Sequence, residues 1–258
     1  MSQLEHIGSP EQQELARKKA ILAALEAKLA EQELRLATLR GKQHAFEAKY
    51  MTAVGCRYAE LDRIEAQIAA IEARRRPHDQ RVAEESRTAS ARAEESARAA
   101  REAGTTEPNK FVPTEDLKTI YRQAAKSLHP DLCSDPAEHK RRQVAMAEVN
   151  QAYEAGDAVR IRQILNEWQA RPEAVAGQSV AEQLVRIIRQ IAQVKDRIQV
   201  IRNEIEMIKA SDLFGLRKSV RDAARNGRDL LKEMAATVDE QIRLARQRLS
   251  EISQGVHL

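Results

Sequence analysis

The chain has 258 residues, 43 of them Lys or Arg against 39 Asp or Glu, for a formal charge of +4 and a pI near 9.1. Charged residues make up 32% of it, only eight residues are aromatic, and Gly is scarce, so a single thick core is excluded and long helices are favoured. The acids and bases are mostly interleaved, so the charge balance by itself carries little weight for nucleic-acid binding.

The first residues, MSQLEHIGSPEQQ, carry neither a basic nor an apolar segment of the secretory type, and no apolar run approaches about 18 residues. Cys56 and Cys133 lie far apart without a CxxC. A cytoplasmic protein without a membrane span or a disulfide framework is expected.

Ser9-Pro10-Glu11-Gln12 opens a helix, with Ser as N-cap, Pro at the first helical position and Gln closing a capping box. The helix is expected to reach about Arg76. Leu22, Leu25, Leu29, Leu36, Leu39, Phe46 and Tyr50 recur at spacings of three, four and seven, and Leu61, Ile64, Ile68 and Ile71 resume in a shifted register. The shift near Ala53–Cys56 is read as a stutter. Arg74-Arg-Arg-Pro77 breaks or kinks the rod. Residues 78–103 contain mainly Ala, Glu, Arg and Ser and are expected to form a solvated helix or a partly disordered spacer.

Residues 104–113, GTTEPNKFVP, form a linker, and Phe111, Tyr121, Tyr153 and Trp168 beyond it mark a small globular unit over 111–170. Thr114 caps a helix over 115–128, Asp135 to Glu138 opens a second to about Ala155, and Gly156-Asp157 ends that one and caps a third to Trp168. The segments are thus 1–77, 78–110, 111–170, a linker at 171–178, and 179–258.

Ser179 and Glu182 form another capping box. After it Leu184, Ile187, Ile191, Val194, Ile198, Ile201, Ile205 and Ile208 follow at alternating spacings of three and four, a coiled-coil seam. Ile at nearly every seam position favours bundles over a parallel two-stranded coil. Ser211 to Gly215 marks a joint, and one further helical segment is expected to run to about Ile252. The N-terminal rod and the C-terminal segments are expected to pack antiparallel, with the small unit at their distal end. Homo-oligomerisation through the seam is a further expectation.

Within the small unit, His129 to Ser134 is a short loop between two amphipathic helices, and its tip is expected to be exposed. Pro130 fixes its own φ and drives His129 out of the helical region, so Asp131 has few accessible backbone conformations. Such a carboxylate suits a charge-assisted bond with a partner's Arg, and the His129 ring can brace the loop.

Leu117-Lys-Thr-Ile-Tyr-Arg-Gln-Ala-Ala-Lys-Ser-Leu-His-Pro-Asp131 resembles helix II and the HPD loop of the J domain, the DnaJ-type co-chaperone module. Ala147-Glu-Val-Asn-Gln-Ala-Tyr-Glu154 resembles the end of its helix III. The resemblance covers about residues 114–170. The composition and periodicity of the rest make the expected fold all-α, with long coiled-coil helices flanking a J-domain-like helical hairpin. The resemblance implies docking on a DnaK-type heat-shock ATPase and stimulation of its ATP hydrolysis. His129, Pro130 and Asp131 would be the coupling residues, and Lys118, Tyr121, Arg122 and Lys126 would match the partner-facing surface of helix II. The chain departs from the family at Gln123, Ser127 and Leu132, where further basic residues are usual. It also lacks a Tyr-x-x-Leu-Gly helix I, for which Phe111 and Val112 stand, and it has no Gly/Phe-rich stretch, zinc-binding cysteine set or β-rich client domain. The coiled coils would then supply client or location specificity.

A rival site is the basic series Arg217, Arg221, Arg225, Arg228 and Lys232, read as one stripe on the last helix that could follow phosphates. Asp222 and Asp229 lie among these residues and no aromatics interleave, so a solvated coiled-coil flank is favoured and nucleic acid is not the expected partner. A structural scaffold with a vestigial hairpin is the remaining alternative. His129, Cys133 and His139 match no metal-site spacing. No nucleophile with an adjacent base, no phosphate loop and no paired acids are visible, so neither an enzyme nor a cofactor is expected.

Overall fold

The computed structural model describes residues 9–104, 111–133, 135–169 and 179–254. Among them there is no strand: the chain is all-α, as its composition requires. The helices are α1 (Pro10–Tyr50), α2 (Cys56–Arg75), α3 (Gln80–Gly104), α4 (Glu115–Leu128), α5 (Pro136–Glu154), α6 (Ala158–Gln169), α7 (Val180–Ala210), α8 (Asp212–Arg225) and α9 (Leu230–Gln254). The sequence's start signals are realised as hydrogen bonds. Ser9 and Gln12 exchange a reciprocal pair, as do Ser179 and Glu182. Thr114 accepts from the Leu117 amide, Asp135 from Glu138 and Asp157 from Arg160.

Two compact units divide the chain: Met1–Lys42 with Phe111–Ala210, and Gln43–Lys110 with Ser211–Leu258. These units cut across the consecutive segments read from the sequence. The reason is that helices distant in the chain share cores, so position along the chain does not define a core.

In the first unit α1 carries two apolar faces. Leu29 and Leu36, with Leu22, Leu25 and Leu39, pack on Val194, Ile198, Ile201 and Ile205 of α7, while Leu15 meets Ile187 and Ile191. Ala30, Leu34 and Ala37 face the small helical unit instead. Leu15 lies by Ile187, Glu33 by Arg197 and Arg40 by Glu204, so α1 and α7 run parallel, against the antiparallel expectation. Antiparallel packing is enforced only between helices joined by a short loop, and these two are separated by more than a hundred residues. Leu29, Leu36, Val194 and Ile201 are almost fully buried, each stabilising by about 1.5–3 kcal/mol relative to exposure. The α7 seam is therefore covered by α1 of the same chain, with Leu184 and Ile208 half-buried at its ends.

Helices α4, α5 and α6 form the small unit around Leu117, Tyr121, Leu128, Val149, Tyr153 and Ile161. They pack on Ala30, Leu34 and Ala37 of α1, because that alanine-rich face and Gly41 allow close approach. A Cβ at Gly41 would come within 2.7 Å of the Phe111 ring.

In the second unit a π-helical turn, Met51–Gly55, separates α1 from α2 at the register shift seen in the sequence. The side chains of Thr52, Cys56 and Arg57 donate to the carbonyls of Ala48, Thr52 and Ala53, satisfying groups around the irregular turn. Helix α2 ends at Arg75 before Pro77, and α3 returns along it with Arg92 paired to Asp62 and Glu65. Of the two expectations for residues 78–103, a solvated helix or a partly disordered spacer, the helix forms, from Gln80, and these ion pairs tie it to α2. Helix α9 lies parallel to α2 through Arg57–Asp239 and Arg248–Glu72. The last segment is two helices rather than one, because Gly227, at φ +74°, ends α8 in a turn before α9. No described helix is long and apolar enough to cross a membrane.

Candidate functional site

Helices α4 and α5 are joined at their ends by the loop that contains His129, Pro130 and Asp131. Their pairing is fixed from within. The Tyr121 hydroxyl donates to Asn150 Oδ1 at 2.7 Å, the Tyr121 and Tyr153 rings lie 4.6 Å apart, and Phe111 meets Tyr153 edge-on at 5.6 Å. Tyr153 Oη also contacts Thr38 Oγ1 of α1 at 2.7 Å. Tyr121, which the resemblance sets among the partner-facing residues, is fully buried and belongs to this core. Burial pushes its phenol well above the usual value, with the negative charge of Glu33 adding to the effect.

The loop is built as Pro130 dictates. His129 stands at φ −60°, ψ 129°, outside the helical region, and Pro130–Leu132 form one 3₁₀ turn closed by Leu132 N–H donating to His129 O at 3.2 Å. Cys133 N–H adds a bond to Pro130 O at 3.1 Å. The His129 ring braces the turn, its Nδ1 accepting from the Asp131 amide at 3.1 Å. An accepting Nδ1 places the proton of the neutral ring on Nε2, which donates to Glu33 Oε1 on α1 at 2.9 Å. Arg142 of α5 adds a clamp, donating to the carbonyls of Ser127 and His129 at the end of α4 while its guanidinium lies 5.5 Å from the Trp168 ring centre.

The exposed tip expected from the sequence does not occur. His129 is only 2% exposed, and the Asp131 side chain 26%. The loop lies against α1 and α7 because Leu132 joins the apolar cluster between those helices and Gln190 of α7 donates to Leu132 O at 3.1 Å. Glu33, 6% exposed, receives both His129 and a two-pronged contact from Arg197 at 3.0 and 3.1 Å. Burial pushes the Glu33 carboxyl up, but the hydrogen bond from His129 and the charge of Arg197 outweigh it and hold the group below its usual value. Burial lowers the Arg197 pKa, and Glu33, then Glu204 and Asp131, more than restore it. Among the described residues the carboxylate of Asp131 makes no ion pair shorter than 3.8 Å, the distance to both His129 Nδ1 and His139 Nε2.

The basic residues of α4 are engaged to different degrees. Arg122 pairs with Glu31 of α1 at 2.8 Å, and Lys118 with Glu115 at 2.7 Å. Lys126 is exposed, near enough to Glu26 of α1 to oppose the effect of burial, which raises that carboxyl's pKa. His129, Pro130, Asp131 and Arg122 therefore converge on one face, together with Glu31, Glu33, Gln190 and Arg197, which the sequence reading did not single out. A signal for two of these existed. Glu33 fills the seven-residue gap between Leu29 and Leu36, and Arg197 sits between Val194 and Ile201, so both place a charge beside an apolar seam.

The basic series of the second unit does not form one stripe. Arg217, Arg221 and Arg225 lie on α8, Arg228 in the turn and Lys232 on α9. Arg221 and Arg225 approach Asp222, Arg228 is bidentate to Glu233, and Arg217 lies over the Phe214 ring at 4.8 Å. With carboxylates on three of the five, the set is a poor track for phosphates. No protein-family model, no curated protein and no solved structure matches the chain.

Proposed function

We propose that the chain is a J-domain-type co-chaperone that docks on a DnaK-type heat-shock ATPase through the His129–Pro130–Asp131 loop and stimulates its ATP hydrolysis. The reading rests on the quoted resemblance. The observation that carries it furthest is the geometry of Asp131: a carboxylate held on a 3₁₀ turn by Pro130 and the His129 ring, with the imidazoles of His129 and His139 both 3.8 Å away. A group so fixed and so incompletely paired is suited to an incoming Arg, because little conformational entropy remains to be lost on binding. The long helices serve as the frame, and through it client or location specificity.

The test is single-turnover ATP hydrolysis by the DnaK-type chaperone of the same organism, with wild-type chain and with Asp131→Asn. The Asn side chain keeps the shape of the loop, so the melting temperature should hold while stimulation falls to the basal rate. Equal stimulation by the two proteins would leave the hairpin as a structural element only.

A further inference from the structure

Glu31, Glu33 and Arg197 stand where a docking partner would stand. The basic face of α4 needs acids opposite it, and α1 supplies Glu31 to Arg122 at 2.8 Å and Glu26 near Lys126. An Asp on the loop needs a cation, and α7 places Arg197 close enough for Asp131 to act on its charge. His129, which can reach a partner only if its ring has a free edge, spends Nε2–H on Glu33 and is 2% exposed. Leu132 and Gln190 fasten the same loop to the α1–α7 seam. Charge pairings, hydrogen bonds and an apolar contact thus fall on one face of the hairpin.

We propose that α1 and α7 act as an internal partner, holding the chain in a resting state in which the α4 face and the His129–Asp131 loop are closed to other proteins. The proposal rests on the co-chaperone reading and adds its regulation. The clamp is polar at its rim, with the Glu31 side chain 55% exposed and Arg122 39%, and such pairs yield to a competitor carrying the same charges. An acidic chaperone surface that also offers an Arg would compete for each group in turn. Since binding needs the open form, apparent affinity is reduced by the fraction of chains that are open.

The test uses the full chain with Glu31→Lys, which sets a cation against Arg122 at a surface pair and spares the core, and the double variant Glu31→Lys with Arg197→Ala. Two quantities are read: hydrogen exchange at the amides of Asp131 and Leu132, and the concentration giving half-maximal stimulation of the DnaK-type ATPase. The expected result is faster exchange together with an about tenfold lower half-maximal concentration, cancelled by adding Asp131→Asn. Unchanged exchange in both variants would overturn the closed state. Faster exchange with equal or weaker stimulation would also overturn it, making α1 and α7 the support that presents the loop. If wild type stimulates but the variants behave so, the co-chaperone reading survives without the clamp. If neither wild type nor any opened variant stimulates at all, both fall.

Discussion

Glu33 and His129, 96 positions apart in the chain, are joined by a 2.9 Å hydrogen bond at a site where neither side chain is more than 7% exposed. The carboxylate is a required member of the set, since Arg197 is also aimed at it. Removing the Glu33 carboxylate leaves the buried Nε2–H of His129 without an acceptor and Arg197, 30% exposed, with Glu204 as its remaining ion pair. Glu33→Ala should therefore cost about 1–3 kcal/mol, measured by urea unfolding followed by circular dichroism. Glu33→Gln should cost less, because the amide oxygen still accepts from His129. A loss under about 1 kcal/mol in Glu33→Ala would mean that water reaches the site and solvates Arg197.

Acid should open the same contact. The Glu33 carboxyl titrates lower in the folded chain than its usual value of 4.5, so at low pH the unfolded chain binds more protons. The stability it contributes is fully present above that usual value and is lost as pH falls through the folded one. Thermal melts from pH 6 to pH 3 should show a drop beginning below about pH 4.5, with a smaller drop in Glu33→Gln, which has nothing to protonate there. Identical acid profiles for the two proteins would rule out this origin.

Ile198 and Ile201 are buried against α1, at 5% and 0% exposure. Replacing both with Asp puts two carboxylates into an apolar seam without partners, at a cost of several kcal/mol. The expected readout is lower helicity and a larger hydrodynamic radius as α7 leaves α1. If both quantities stay at wild-type values, the seam is not a packing surface.

Gly41→Ala sets two effects against each other. In mid-helix Ala is favoured over Gly by about 1 kcal/mol, but here the new methyl would lie 2.7 Å from Phe111 Cε1. Displacing the ring breaks its edge-on contact with Tyr153 and overpacks the core, typically costing about 1–3 kcal/mol. A net destabilisation is expected, relieved by Phe111→Leu on the same background. A rise in melting temperature for Gly41→Ala would show that Phe111 yields freely.

Helix starts were the most legible part of the sequence. Thr114, Asp135, Asp157 and Ser179 bond amides three residues on, a strictly local chemistry that spacing alone reveals. The α7 seam was equally plain, because Ile and Val every three or four residues have few other uses. What stayed hidden was which surface covers which. The same Leu stripe on α1 could face an antiparallel neighbour, a second copy or the parallel α7, and composition does not separate these. Tyr121 illustrates the same limit within the candidate site: its spacing fits a partner face as well as a core, and burial beneath α1 decided the matter. The spacing of Arg217 to Lys232 makes one stripe only if a single helix runs through them, and Gly227, at φ +74°, ends α8 in their midst.

The parallel pairing of α1 with α7 has a consequence for synthesis. Leu29 leaves the ribosome roughly 165 residues before Val194, and at about 5–20 residues per second its covering helix follows some ten to thirty seconds later. Throughout that interval the leucines of α1 have no native cover from α7. Domain-wise folding from the N-terminus is closed to this unit, whose core must wait for its last helix. Through that interval the nascent chain exposes the sort of apolar stripe that general chaperones bind.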